Sequence, residues 1–282
     1  MGKNMTFVTI NFNFLKHSFI GIFSVALLTS CCDSNVEDLI DQVLAGNHRT
    51  PSYIERDEFR HPKETLLFFG LSPKQSVVEI TPGFGWYAEI LAPLMRENGR
   101  YYYTSYKLHD GINPFFVKIE KKFKEKMQLN PGIYEKLNWV YFQPNQPDFI
   151  PDGPVDMVLT FRNVHNWAKA GTAESMFAGF HRALKPGGIL GLIEHRAKPG
   201  TPLDVQIQSG YMTVDYVVQL AKKVGFRLDA SSEINANPKD TKDHQGGVWN
   251  LLPNLRGITD ESKEAIMKIG ESDRMTLKFI KE

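Results

Sequence analysis

Three short stretches carry side chains whose types and spacing could do chemistry. The first is VVEITPGFGWYAEIL, Val77 to Leu91, where an apolar run ends on Glu79. Thr81, Pro82, Gly83, Phe84, Gly85 and Trp86 then form a glycine turn ahead of an apolar-periodic segment. Strand, glycine turn and helix present backbone N–H groups to a nucleotide-like ligand. The second stretch is FRNVHNW, with Arg162, Asn163, His165 and Asn166, and the third is ILGLIEHR, with Glu194, His195 and Arg196. Two imidazoles with an acid and arginines suit proton transfer from an oxygen or nitrogen nucleophile, because imidazole titrates near neutrality. His165 or His195 is then the base, with Glu194 beside it, and Asn163 and Arg162 orient the acceptor that carries the nucleophile. Each has a structural reading too: a histidine after a strand often only satisfies buried partners, and Arg162 could pair with Glu194. His165, His195 and Glu194 have the chemistry of metal ligands, but no metal is assigned. No other histidine shows H-E-x-x-H spacing.

These stretches must be held by a scaffold, and its elements are legible. SVVEI (76–80), RYYYTSY (100–106), NWVYFQP (138–144), VDMVLTF (155–161) and ILGLIEH (189–195) read as strands. Helical patterns separate them: 86–97, 114–127, and 172–188 ending on a glycine stop, with another at 213–226 capped by Thr213. FRLDASSEI and RMTLKFIK are two late strands without a clear crossover helix between them, so they pair antiparallel. Strands alternating with helices make an α/β, doubly wound, mostly parallel seven-stranded sheet with an antiparallel C-terminal strand. Ligands in such sheets sit beyond the carboxyl ends of the strands, where all three stretches begin or end. The polar run Asn235 to Gly247, with Asn237, Asp240 and Asp243, is long for a connection and reads as a lid or acceptor loop, or as a solvated turn region.

Gly83-Phe84-Gly85-Trp86-Tyr87-Ala88 also fits the G-x-G-x-x-A pattern of an NAD-binding oxidoreductase. That fingerprint wants an acid at the end of the second strand, and the nearest, Asp110, comes late. A broader resemblance covers residues 72–282. The turn after Glu79, the strand opening at Asp156, FHRALKPGGILGLIEH and VVQLAKKVGF resemble the class I S-adenosylmethionine-dependent methyltransferases, in order and spacing. FRHPKETLLFFGL, PGFGWYAEILAP and FRNVHNW look like a bacterial family of exported methyltransferases of unassigned substrate. The resemblance implies a Rossmann-like methyltransferase fold and S-adenosylmethionine as cofactor, with a small-molecule or other acceptor. It places Glu79 at the donor's ammonium end, Thr81 through Gly85 against its amino-acid part, and Trp86 or Tyr87 by cation–π contact with the sulfonium. Ser105 falls in the ribose slot, which an acid usually fills, and Thr81 stands where a glycine is usual. The alternative is a non-catalytic binding protein of the same fold.

The N-terminus predicts export. Residues 1–32 hold no Asp or Glu; Lys3, Lys16 and His17 precede the apolar run Ser18 to Leu28, and LTSC follows. That run suits a signal peptide, and LTSC resembles a lipobox, which implies lipidation of Cys31. Residues 1–31 are therefore signal peptide and lipobox, 32–71 an N-terminal helical segment, and 72–282 the methyltransferase-like domain. The implied location is the bacterial cell envelope, lipid-anchored and facing the periplasm. Cys31 and Cys32 are the only cysteines, so the globular part has no disulfide framework. A net charge of +1 gives no basic surplus, and nucleic acid is not an expected partner.

Overall fold

The computed structural model of the chain describes Gly2, residues 36–149 and residues 153–282. Cys31 and the signal sequence lie outside the described residues. Four N-terminal helices come first: α1 (36–44), the single turns α2 (Pro51–Ile54) and α3 (Asp57–Arg60), and α4 (Pro62–Phe69). There follow β1 (Ser76–Ile80), α5 (Ala88–Met95), β2 (Arg100–Tyr106), α6 (Pro114–Leu129), α7 (Pro131–Tyr134) and β3 (Asn138–Phe142). The second half runs β4 (Val155–Phe161), α8 (Val164–Ala170), α9 (Ala173–Ala183), β5 (Leu184–His195), α10 (Leu203–Ser209) and α11 (Val214–Lys223). It closes with β6 (Phe226–Ser232), α12 (Asp260–Ile269) and β7 (Arg274–Lys281). No helix among the described residues is long and apolar enough to cross a membrane.

The seven strands form one sheet in the order β3-β2-β1-β4-β5-β7-β6. All neighbours are parallel except β7, which runs antiparallel to both β5 and β6. This is the doubly wound sheet with an antiparallel last strand that the strand and helix patterns predict. The apolar runs of β1 and β4 are buried on both sides, as central parallel strands require. Val77, Met157 and Leu159 pack with Leu66, Phe69, Leu91 and Phe123 on one face. Val78, Val158 and Leu192 pack with Phe177, Phe180 and Val217 on the other. Helix starts are set locally: Asn113 accepts from the Phe115 N–H at α6, and Thr213 from the Tyr216 N–H at α11.

Three details differ from the sequence reading. FRNVHNW, assigned to no element from sequence, runs into a helix: α8 begins at Val164, directly after β4. Helix α9 ends at Ala183, and LKPGG joins the start of β5 through a register shift against β4. Helix α12 lies in the connection that read as lacking one, and none of its residues is fully buried.

Candidate active site

The glycine turn leaves β1 at the carboxyl edge of the sheet and is clamped by side chains of β2. Thr104 Oγ1 accepts from the Thr81 N–H (2.9 Å) and donates to the Glu79 carbonyl (3.0 Å). The Tyr103 hydroxyl donates to the Gly83 carbonyl and the Tyr101 hydroxyl to Glu79 Oε2, each at 2.5 Å. Thr81 (φ 46°), Gly83 (φ 65°) and Gly85 (φ 82°) all take left-handed backbone, the conformation for which glycine is the usual choice. Thr81 Oγ1 is buried and has no hydrogen-bond partner among the described residues.

Two expected donor contacts are corrected here. A Cβ on Gly85 would fall 2.2 Å from Phe123 Cε2, whereas one on Gly83 would meet nothing within 4 Å among the described residues. Gly85 is thus small for packing, and Gly83 is the open glycine. Trp86 is no free platform for a sulfonium: the Arg60 guanidinium already lies 4.7 Å from its ring centroid, and its Nε1 donates to the Tyr53 carbonyl (3.0 Å). Tyr87 is stacked on Phe161 at 3.8 Å. Ser105 sits buried on β2, opposite Tyr141. Asp110, the acid of the NAD reading, lies on an exposed turn past β2.

Glu79, Thr81, Pro82, Tyr87, Phe161 and Arg162 line a cavity of about 20 Å³. That is room for about one water molecule. The N-terminal segment packs against the neighbouring residues of the turn and of α5, with the Tyr53 hydroxyl donating to the Phe84 carbonyl (3.1 Å) and Arg49 Nε to Glu89 Oε2 (3.2 Å). Burial pushes the Glu79 carboxyl up to about 8, against the opposing pull of the Tyr101 hydroxyl and Arg162. Glu79 is therefore protonated at pH 7 in this closed state, not the carboxylate the sequence suggests.

That shift has a measurable consequence. The folded pKa of Glu79 lies above the unfolded value of 4.5, so its stabilising contribution is complete below 4.5 and is lost as pH rises through about 8. His195 acts oppositely below its unfolded value of 6.5, because its folded pKa is lowered. Between pH 7 and 8 Glu79 dominates, and the chain should lose about 1 kcal/mol across that window. Denaturant titrations of Glu79→Gln should show a nearly flat profile there. An equal slope in the variant would remove Glu79 as its source.

The histidines meet across the ends of β4 and β5. His165, in the first turn of α8, places Nδ1 3.0 Å from Glu194 Oε1. Glu194 is fully buried and also accepts from the His195 N–H (2.8 Å) and the His165 N–H (3.3 Å). A His165 Nδ1–H donated to Glu194 leaves Nε2 with a free lone pair. His195 Nδ1 lies 2.5 Å from Ser272 Oγ, and the two imidazoles are 5.4 Å apart. Burial holds His195 well below the usual histidine range, and His165, Arg162, Arg274 and Arg60 lower it further. The donor atoms of His165, Glu194 and His195 lie within 4.8 Å of one another, so the fold assembles a ligand trio to which the sequence reading assigns no metal. The guanidiniums that act on His195 oppose a dication there, and Glu194 is already engaged by three donors. The arrangement is better suited to moving a proton.

The remaining expected residues serve other ends. Asn163 donates Nδ2–H to the Ile80 carbonyl (3.0 Å) and to Thr160 Oγ1 (3.2 Å), tying the ends of β1 and β4 together instead of orienting an acceptor. Arg162 does not pair with Glu194; its nearest carboxylate is Glu271, at 3.7 Å. Asn235 to Gly247 is not a free lid. Asn237 donates to the Ile269 and Glu271 carbonyls, and buried Asp240 accepts from Tyr211 and from the Asp273 N–H. Sequence reasoning missed Arg56, Arg60, Glu271, Ser272 and Arg274. One signal was available: Arg56 and Arg60 stand four apart in a helical stretch and so share a face.

No known family matches the chain by sequence, and no curated protein does. Solved structures do match in shape. A SAM-dependent methyltransferase from Aquifex aeolicus is 16% identical over 89% of this chain and 98% of its own, with a TM-score of 0.52. The glycopeptide N-methyltransferase MtfA is 13% identical over 80% of this chain and 91% of its own, at 0.51. The cyclase SpnF is 14% identical over 84% and 85%, at 0.56. At these identities the likeness shows the fold: a Rossmann-like sheet of the class I methyltransferase type.

Proposed function

We propose that this chain is an S-adenosylmethionine-dependent methyltransferase, lipid-anchored on the exported side of a bacterial membrane, acting on an acceptor still to be identified. The observation that carries this reading is the left-handed turn from Glu79 to Gly85 at the carboxyl end of β1, with Gly83 open and Thr81 Oγ1 unpartnered. It faces the same sheet edge as the His165–Glu194 pair. An acid, an open glycine and an unpaired hydroxyl suit the amino-acid end of the donor in kind. The cavity does not suit it in size, so binding requires the Tyr53 and Arg60 contacts over the turn to part. When bound, S-adenosylmethionine supplies an electrophilic methyl group. Glu79, Thr81 and Gly83 would then hold its amino-acid end, and His165 Nε2 would take the proton from the acceptor nucleophile as the methyl group leaves the sulfonium. Glu194 fixes the ring tautomer that makes this possible.

Calorimetric titration of the chain with S-adenosylmethionine and S-adenosylhomocysteine tests the donor site. Micromolar binding supports it, and no heat up to millimolar ligand overturns it. The second reading, a binding protein of the same fold, is favoured by the closed cavity and the protonated Glu79. A cyclase with this fold shows that fold does not fix the reaction. The anchor rests on the acid-free stretch before Cys31 and the LTSC sequence. Cys31→Ser should move the protein out of the membrane fraction; a variant still wholly membrane-bound would remove the lipid anchor.

A further inference from the structure

Five charged groups from three separate parts of the chain converge beside His195. Arg56 Nε lies 2.7 Å from Glu271 Oε1. Arg60 Nε and Arg274 Nη1 lie 3.1 and 2.9 Å from Oε2, and Arg162 Nη1 lies 3.7 Å from the same oxygen. Four guanidiniums thus share one carboxylate. Arg60, Arg274 and Glu271 are almost wholly buried, while the side chains of Arg56 and Arg162 keep 20% and 24% exposure. The cluster therefore opens to solvent only along those two.

Nearby carboxylates do not neutralise the surplus. Asp273 is taken by Arg196 (2.9 Å) and Lys242 (2.6 Å), and Glu194 by the two histidine residues. Glu79, beside Arg162, carries a proton at neutral pH. A second observation points the same way: Arg274 Nε is buried without a hydrogen-bond partner among the described residues. Buried charges are costly unless they are paired, and an unpaired donor adds to that cost. Guanidinium forks match the geometry of carboxylate and phosphate oxygens. Arg274 pairs directly with His195 across the β5–β7 ladder, so an anion held here lies next to the imidazoles.

We propose that Arg56, Arg60, Arg162 and Arg274 form an oxyanion-binding subsite for a carboxylate or phosphate group. On the methyl-transfer reading, on which this part rests, the oxyanion belongs to the acceptor. The acceptor is then an acid, held by its anionic group with its nucleophile toward His165 and His195.

Inorganic phosphate and acetate are the probes, titrated into the full chain with and without saturating S-adenosylhomocysteine. At least one should bind at millimolar concentration or better. The preferred probe separates a phosphate-bearing from a carboxylate-bearing acceptor. Arg162→Gln and Arg56→Gln should each weaken it about tenfold or more, as loss of a charged hydrogen bond does. Arg56→Lys keeps the charge, controls for folding, and should recover part of the affinity. S-adenosylhomocysteine should leave the anion affinity within about twofold. Unchanged anion binding in both glutamine variants overturns the subsite. Competition between S-adenosylhomocysteine and the anions overturns its assignment to the acceptor, because the arginines would then hold the donor's own carboxylate. Anion binding without any S-adenosylhomocysteine binding supports the subsite and removes the methyl-transfer reading instead.

Discussion

Replacing His165 by alanine is expected to lower acceptor-dependent turnover about 10²- to 10⁴-fold, the range a positioned base contributes. Donor affinity should stay within about twofold, because His165 lies at the end of β4 and the donor turn at the end of β1. The imidazole suits this role because Glu194 accepts at its Nδ1, which leaves Nε2 to receive a proton. Glu194→Gln should also depress turnover. An amide that donates N–H to Nδ1 reverses the tautomer and spoils the base without removing the ring. A merely structural histidine predicts another pattern: lower stability in His165→Ala, with turnover per folded molecule retained. Transfer of a labelled methyl group into a cell extract, normalised to folded protein, separates the two. Turnover within about threefold of the parent chain would end the assignment of His165 as base.

The sheet was readable because buried parallel strands announce themselves as apolar runs between glycine stops. SVVEI and VDMVLTF could hardly be anything else. The carboxyl ends of the strands then pointed to one edge for the site. Local patterns carry no word of contacts made at long range. Arg56 and Glu271 are 215 residues apart, and nothing in either neighbourhood signals the other. The same blindness misassigned Trp86, whose ring looks available until Arg60 is brought over it. Arg162 was placed at the end of β4, but its carboxylate partner comes from the end of the chain. Helix α12 escaped because it is a short helix after a long polar connection, and no residue of it is fully buried.

Gly85→Val should cost about 2 to 5 kcal/mol of folding stability. Two separate causes contribute. At φ 82° a β-branched residue is strained by about 1–3 kcal/mol. Its Cβ would also stand 2.2 Å from Phe123 Cε2, and overpacking a core costs about 1–3 kcal/mol. Phe123 has little room to yield, since it is stacked on Tyr103 at 4.2 Å and meets Tyr134 edge-on at 5.5 Å. Tyr103 in turn holds the Gly83 carbonyl, so the damage spreads into the turn itself. Gly83→Ala supplies the comparison. It shares the left-handed backbone (φ 65°) but has nothing within 4 Å of its Cβ, and should cost only about 1 kcal/mol. Urea titrations with matching m-values measure both. If Gly85→Val costs no more than Gly83→Ala, the packing account of Gly85 is wrong and its Cβ-less face is free for a ligand. If it costs several times more, loss of donor binding in a Gly85 variant reports a displaced core, and Gly83 is the position at which the donor site has to be probed.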